Sequence, residues 1–149
     1  MRRHILPLIP LATLLSAPLI AEPTANAPAL PAGATVIQSR QLLIAVSPTH
    51  RRAYAFSHRT GEVSRVRVDA PSRGEVIPVV GDSVGCFVVG TKAYAYGADS
   101  GVWGVMELGA AAVPTVSTDL VRIDVGARIY LFSSTSKAWQ VIDLSRDEE

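Results

Sequence analysis

Cysteine is nearly absent from this sequence: Cys86 is the only one in 149 residues. A single thiol closes no internal disulfide, so the fold must hold without a covalent cross-link. Its place in the apolar run Cys86-Phe87-Val88-Val89 reads as a small core residue. Histidine is scarce as well. The three are His4, His50 and His58, so none follows position 58, and a nucleophile further along the chain has no histidine after it. Excess charge of either sign is also missing. A net charge of +1 argues against a nucleic-acid partner, because phosphate backbones require a concentrated basic surface. Nor does any stretch carry the 3.6-residue apolar period of an amphipathic helix.

A long hydrophobic run occurs once, at the start. Met1-Arg2-Arg3-His4 leads into an apolar segment from Ile5 to Ala21. A basic start, a short apolar stretch and small residues after it are the pattern of a secretory signal peptide, expected over residues 1–21. The run is short and interrupted by proline, which excludes a comfortable membrane span once the signal is removed. Residues 22–34 (EPTANAPALPAGA) are Pro/Ala-rich with almost no charge and read as a flexible spacer. The folded domain is expected over 35–144, with 145–149 as a polar tail. The expected location is secreted or periplasmic.

Within the domain the chain repeats itself. Arg52-Ala-Tyr-Ala-Phe56, Lys92-Ala-Tyr-Ala-Tyr96 and Arg128-Ile-Tyr-Leu-Phe132 are successive copies, with offsets of about 40 and 36 residues that signal a repeat architecture. Each copy continues through a polar turn (Thr60-Gly61, Ser100-Gly101, Ser136-Lys137). A second strand follows, beginning at Val63, Trp103 or Trp139 and ending at Val68, Leu108 or Leu144. Alternation on both sides of such a turn is the β-hairpin signature. Upstream of each hairpin lies an apolar strand (Leu42–Val46, Gly85–Val89, Val121–Val125), and before that a short edge segment at Val36 and Ile37, at Ile77–Val80 or at Thr115 and Val116. Pro78 and Pro114 suit an edge. The fold class expected is therefore all-β: three four-stranded antiparallel, propeller-blade-like units. They form either an open stack or, because three blades are too few for a closed propeller, a ring completed by a second copy.

The last strand carries apolar residues on both faces, Trp103 and Val105 against Met106 and Leu108, and Trp139 and Val141 against Ile142 and Leu144. Both faces are therefore expected to be covered. The first unit departs from this, with Val63, Arg65 and Arg67 at the positions of Trp103, Val105 and Glu107. A wettable face is what a terminal repeat needs.

The stretch Tyr96-Gly-Ala-Asp-Ser100-Gly-Val-Trp103-Gly-Val-Met-Glu-Leu108, preceded by Cys86-Phe-Val-Val-Gly90, resembles a blade of the kelch-type propellers. The third unit matches through Tyr130, Phe132, Ser136 and Trp139; the first has Phe56 and Thr60 but no Trp. Where kelch blades carry a double glycine, this chain has only Gly90 and Gly126. The resemblance implies a blade fold and a role in binding, and transfers no catalytic residue.

Residues 81–85, Gly-Asp-Ser-Val-Gly, match the nucleophile-elbow pattern of serine hydrolases. An elbow needs a helix next and a histidine later. The chain instead offers the β-rich run Gly85–Gly90 and no further histidine, so Ser83 is expected to be a turn residue. His50 and His58 without a neighbouring Cys or carboxylate motif make a poor metal site, and Asp82, Asp99 and Asp119 recur in turns without the density of a calcium loop. Trp103 and Trp139 are expected to pack between sheets before stacking on sugars. The basic cluster Arg51, Arg52, Arg59, Arg65 and Arg67 reads as a solvated terminal face that blunts aggregation, with an acidic polymer or surface as its competing use. No catalytic residue, cofactor or metal is expected. The function expected is that of a non-catalytic binding or scaffolding module for a protein or glycan, with homo-oligomerisation as a route to closure. A lectin-like module using the Trp positions is the alternative, and a Ser83 hydrolase the third.

Overall fold

The computed structural model describes residues 30–69 and 74–145. The expected signal peptide, most of the spacer and residues 146–149 lie outside the described residues. Among the described residues, twelve strands follow in chain order. The first sheet holds β1 (Thr35–Gln38), β2 (Leu42–Val46), β3 (Arg52–Ser57) and β4 (Val63–Arg67). The second holds β5 (Val79–Val80), β6 (Val84–Val89), β7 (Lys92–Gly97) and β8 (Val102–Glu107). The third holds β9 (Thr115–Val116), β10 (Leu120–Val125), β11 (Arg128–Ser133) and β12 (Gln140–Asp143). Each is an antiparallel meander in which sequence neighbours pair. The arrangement is blade-like and not closed into a ring.

The three repeat tyrosines occupy one position. Tyr54 lies between Ala45 and Arg65, Tyr94 between Phe87 and Val105, and Tyr130 between Ile123 and Val141. Strand alternation then sorts each sheet into an aromatic face and a face of smaller side chains. The sheets stack with the aromatic face of one on the small face of the one before. Phe87, Tyr94 and Tyr96 bury themselves against Leu42, Ile44, Val46, Ala53 and Ala55. Tyr130, Phe132 and Trp139 do the same against Val84, Cys86, Ala93 and Ala95. A fully covered large apolar side chain contributes about 1.5–3 kcal/mol, so these two interfaces are the core of the molecule.

Small residues make room for the rings. A Cβ placed on Gly104 would lie 2.4 Å from Phe132 Cε2 and 3.1 Å from Trp139 Nε1. The backbone of β8 thus approaches the next sheet's aromatics as closely as contact allows.

Hydrogen bonds repeat across the junctions. The Ser39 hydroxyl donates to the Asp82 carbonyl (3.1 Å), and the Ser83 amide to the Thr118 carbonyl (3.0 Å). Ser57 Oγ donates to the Ala98 carbonyl (3.0 Å), and the Ser100 amide to that of Ser134 (2.9 Å). The tyrosine hydroxyls also reach back: Tyr94 Oη accepts from the Asp69 amide (3.2 Å), and Tyr130 Oη donates to the Leu108 carbonyl (3.4 Å). Asp99 ties all three sheets together, pairing with Arg59 of the first and the Ser134 hydroxyl of the third.

The outer strands depart from the expectation of two covered faces. Val105, Val141 and Ile142 remain nearly half exposed. These three lie where strand twist carries the outermost strand off its neighbour, whereas Trp103, Gly104, Met106 and Leu108, and Trp139 just ahead of β12, pack at the interfaces. Pro78 and Pro114 fall just ahead of β5 and β9 and leave those strands two residues long.

Candidate binding face

Among the described residues, stacking leaves two sheet faces uncovered: the aromatic face of the first sheet and the small face of the third. On the first, Tyr54 and Phe56 are half-buried and Val63 is 68% exposed, where their counterparts Tyr94 and Tyr96 are fully covered.

Arginine gathers at one end of this open face. Arg51, Arg52, Arg65 and Arg67, with Val66, line a shallow pocket of about 520 Å³. The pairing scheme fixes how the guanidinium groups meet. The Val68 amide bonds the Arg51 carbonyl (3.0 Å) and the Ser57 amide bonds that of Glu62 (3.2 Å). Stepping inward by two, Ala53 with Val66 and Ala55 with Ser64 are hydrogen-bonded pairs, and Arg52 with Arg67 and Tyr54 with Arg65 are the non-hydrogen-bonded ones. In that class the two side chains leave the sheet closest together. Two arginines therefore stand side by side on adjacent strands, with a third next to Tyr54.

The same register position carries opposite charges in the other two sheets: Lys92 faces Glu107 and Arg128 faces Asp143. Arg128 Nε donates to Asp143 Oδ2 at 3.1 Å. The first sheet alone reverses one sign. Like charges directly opposite are destabilising. Among the described residues, the ion pairs join Arg59 to Asp99, Lys92 to Asp69, Arg122 to Asp124 and Arg128 to Asp143; none of the four pocket arginines takes part. The sequence contains this signal at its repeat offsets, Arg67 against Glu107 and Asp143, but reading it as a repulsive pair needs the cross-strand register.

The other residues singled out from the sequence do not converge there. Ser83 sits at the junction of the second and third sheets, 8% exposed. Its amide and hydroxyl both face the Thr118 carbonyl (3.0 and 3.5 Å), and its own carbonyl accepts from Ala98 (2.8 Å). Gly81 of the same motif is required because a Cβ there would lie 1.8 Å from the Ser117 carbonyl oxygen. Ser83 is thus a junction residue as well as a turn residue. Cys86 is buried, and burial pushes its thiol well above the ordinary range, which keeps it uncharged. Trp139 packs on Phe132 (ring centroids 5.4 Å apart), and Trp103 lies between Phe87 (5.9 Å) and Tyr96 (5.2 Å).

His58 lies edge-on to Phe56 at 5.1 Å. His50, in the loop leading to Arg51, holds a φ of +52°. Among the described residues no three His, Cys, Asp or Glu side chains cluster as metal ligands would, and no helix is long and apolar enough to cross a membrane.

No protein-family model matches this chain, and no curated protein matches it.

Proposed function

We propose that this protein is an exported, non-catalytic binding module that takes its ligand on the open aromatic face of the first sheet. One observation carries the reading: the face that is buried in the second and third sheets is left uncovered in the first and carries Arg52, Arg65 and Arg67, which pair with no carboxylate among the described residues. Binding sites combine apolar or aromatic surface with a few convergent polar groups, and Tyr54 with its neighbouring arginines has that composition. Export rests on the basic-apolar start of the sequence.

The test is an array of glycans, acidic polymers and peptides probed with the purified chain and with Tyr54→Ser/Arg65→Ser. The expected result is a ligand whose signal drops with the double variant while circular dichroism is unchanged. Signals indifferent to that variant would remove the face from consideration. Turnover of an ester or peptide abolished by Ser83→Ala would overturn the non-catalytic reading. Amino-terminal sequencing of protein recovered outside the cytoplasm is expected to begin near Glu22.

A further inference from the structure

We infer that the arginine pocket is a phosphate-binding site, taking a phosphorylated polymer with one phosphate held between Arg52 and Arg67. The inference rests on the open-face reading above and assigns its ligand class. Two guanidinium forks side by side offer more donors than one carboxylate can accept with its two oxygens. A phosphate monoester, or the terminal phosphate of a polyphosphate chain, has three free oxygens and up to two negative charges, so it can accept from both forks and neutralise both cations. Arg65, two residues from Arg67 on the same face of β4, stands about 7 Å further along the strand. Arg51 borders the same pocket. This spacing of cations suits a chain carrying a second anionic group and not an isolated ion.

Edge protection alone does not account for the arrangement. Charge of either sign blunts an edge strand, and β8 and β12 end in the acids Glu107 and Asp143, each opposite a basic residue. A like-charged pair at that position costs stability when empty and is relieved by an anion. A second copy of this chain is a poor occupant, because the other uncovered face lacks the small residues that receive an aromatic sheet. Leu131 replaces Ala95, and Gln140 replaces Gly104.

The probe is long-chain inorganic polyphosphate, with polyglutamate of matched charge and phosphatidylglycerol vesicles as comparison arms, followed by calorimetry at two salt concentrations. The expected result is polyphosphate binding that weakens with salt, at least about tenfold tighter than polyglutamate. Arg52→Gln/Arg67→Gln should lose about tenfold or more, while Arg122→Gln on the third sheet leaves affinity within about twofold. The unliganded double variant should also melt roughly 1–4 °C higher, because the repulsion is gone. A lower melting point would make the pair structural and overturn the inference. Equal affinity for polyglutamate, or binding to vesicles without binding to polyphosphate, would overturn the ligand class while leaving the open face as a binding surface. Polyphosphate affinity unaffected by the double variant would overturn both.

Discussion

The two uncovered faces of this stack differ in kind. At one end the first sheet presents what the second and third sheets bury: a tyrosine, a phenylalanine and a valine at the positions of Tyr94, Tyr96 and Trp103. At the other end the third sheet presents a small face that is no longer small. Ala53 and Ala93 correspond to Ile129, Ala55 and Ala95 to Leu131, and Ser64 and Gly104 to Gln140. Where the second sheet has Cys86 and Val88, the third has Arg122 and Asp124, which pair with each other at 2.9 Å. One end is an interface left open, whereas the other has lost the socket that would receive a further sheet. The stack therefore has a direction, and its ends do not fit each other. This argues against the ring of two chains that repeat number alone suggested.

The largest effect expected from this difference comes from filling the socket that the third sheet lacks. Gly104→Gln copies the third sheet into the second and drives a side chain into Phe132, so thermal or urea unfolding should show a loss of about 3 kcal/mol or more. Its mirror, Gln140→Ala, touches no neighbouring sheet and should stay within about 0.5 kcal/mol. Equal effects would mean that the two faces are not alternatives. A second pair sharpens the comparison at the aromatic positions. Phe132→Ala opens a cavity under a fully buried ring and should cost about 3–5 kcal/mol, whereas Phe56→Ala at the open end should cost less than half of that.

A smaller effect is expected at the tie between the sheets. The Ser134 hydroxyl and then the Arg59 guanidinium hold the Asp99 carboxyl below its ordinary value near 3.8. A depressed native value stabilises the fold above the unfolded value and loses that contribution as pH falls through the native one. Asp99→Asn should therefore cost about 1 kcal/mol at pH 7. The gap from the parent protein should be flat down to about pH 5 and should close in stronger acid. A gap that persists unchanged at pH 2 would remove the carboxylate from the account. The smallest effect is expected from Arg67→Glu, which rebuilds in the first sheet the opposite pairing of the other two and should stabilise the empty protein by about 0.5 kcal/mol.

Much of this architecture is legible in the sequence. The Tyr54, Tyr94 and Tyr130 repeats, the polar turns and the alternating strands come from local chemistry, which fixes period and hairpin position without knowledge of the rest of the fold. Ser83 was legible as a turn residue. Its bond to Thr118 was not, because that partner lies 35 residues away in another sheet. The same holds for Gly81 and Gly104, whose reason for being glycine is an atom of the next sheet. The partial exposure of the outer strands is not legible in the sequence, because two apolar faces do not reveal how far twist carries a strand off its neighbour. The candidate site stood in between. Its arginines were visible as a cluster, but their meaning depended on register, and only register turns Arg52 and Arg67 into a pair.

Sedimentation equilibrium of the chain tests the directional stack most directly. With end faces that do not complement each other, the account predicts the mass of one chain, 15.8 kDa before any processing, across the accessible concentration range. A stable species of twice that mass, dispersed by Leu131→Arg on the third sheet and by Phe56→Arg on the first, would show the two ends joined and would contradict it.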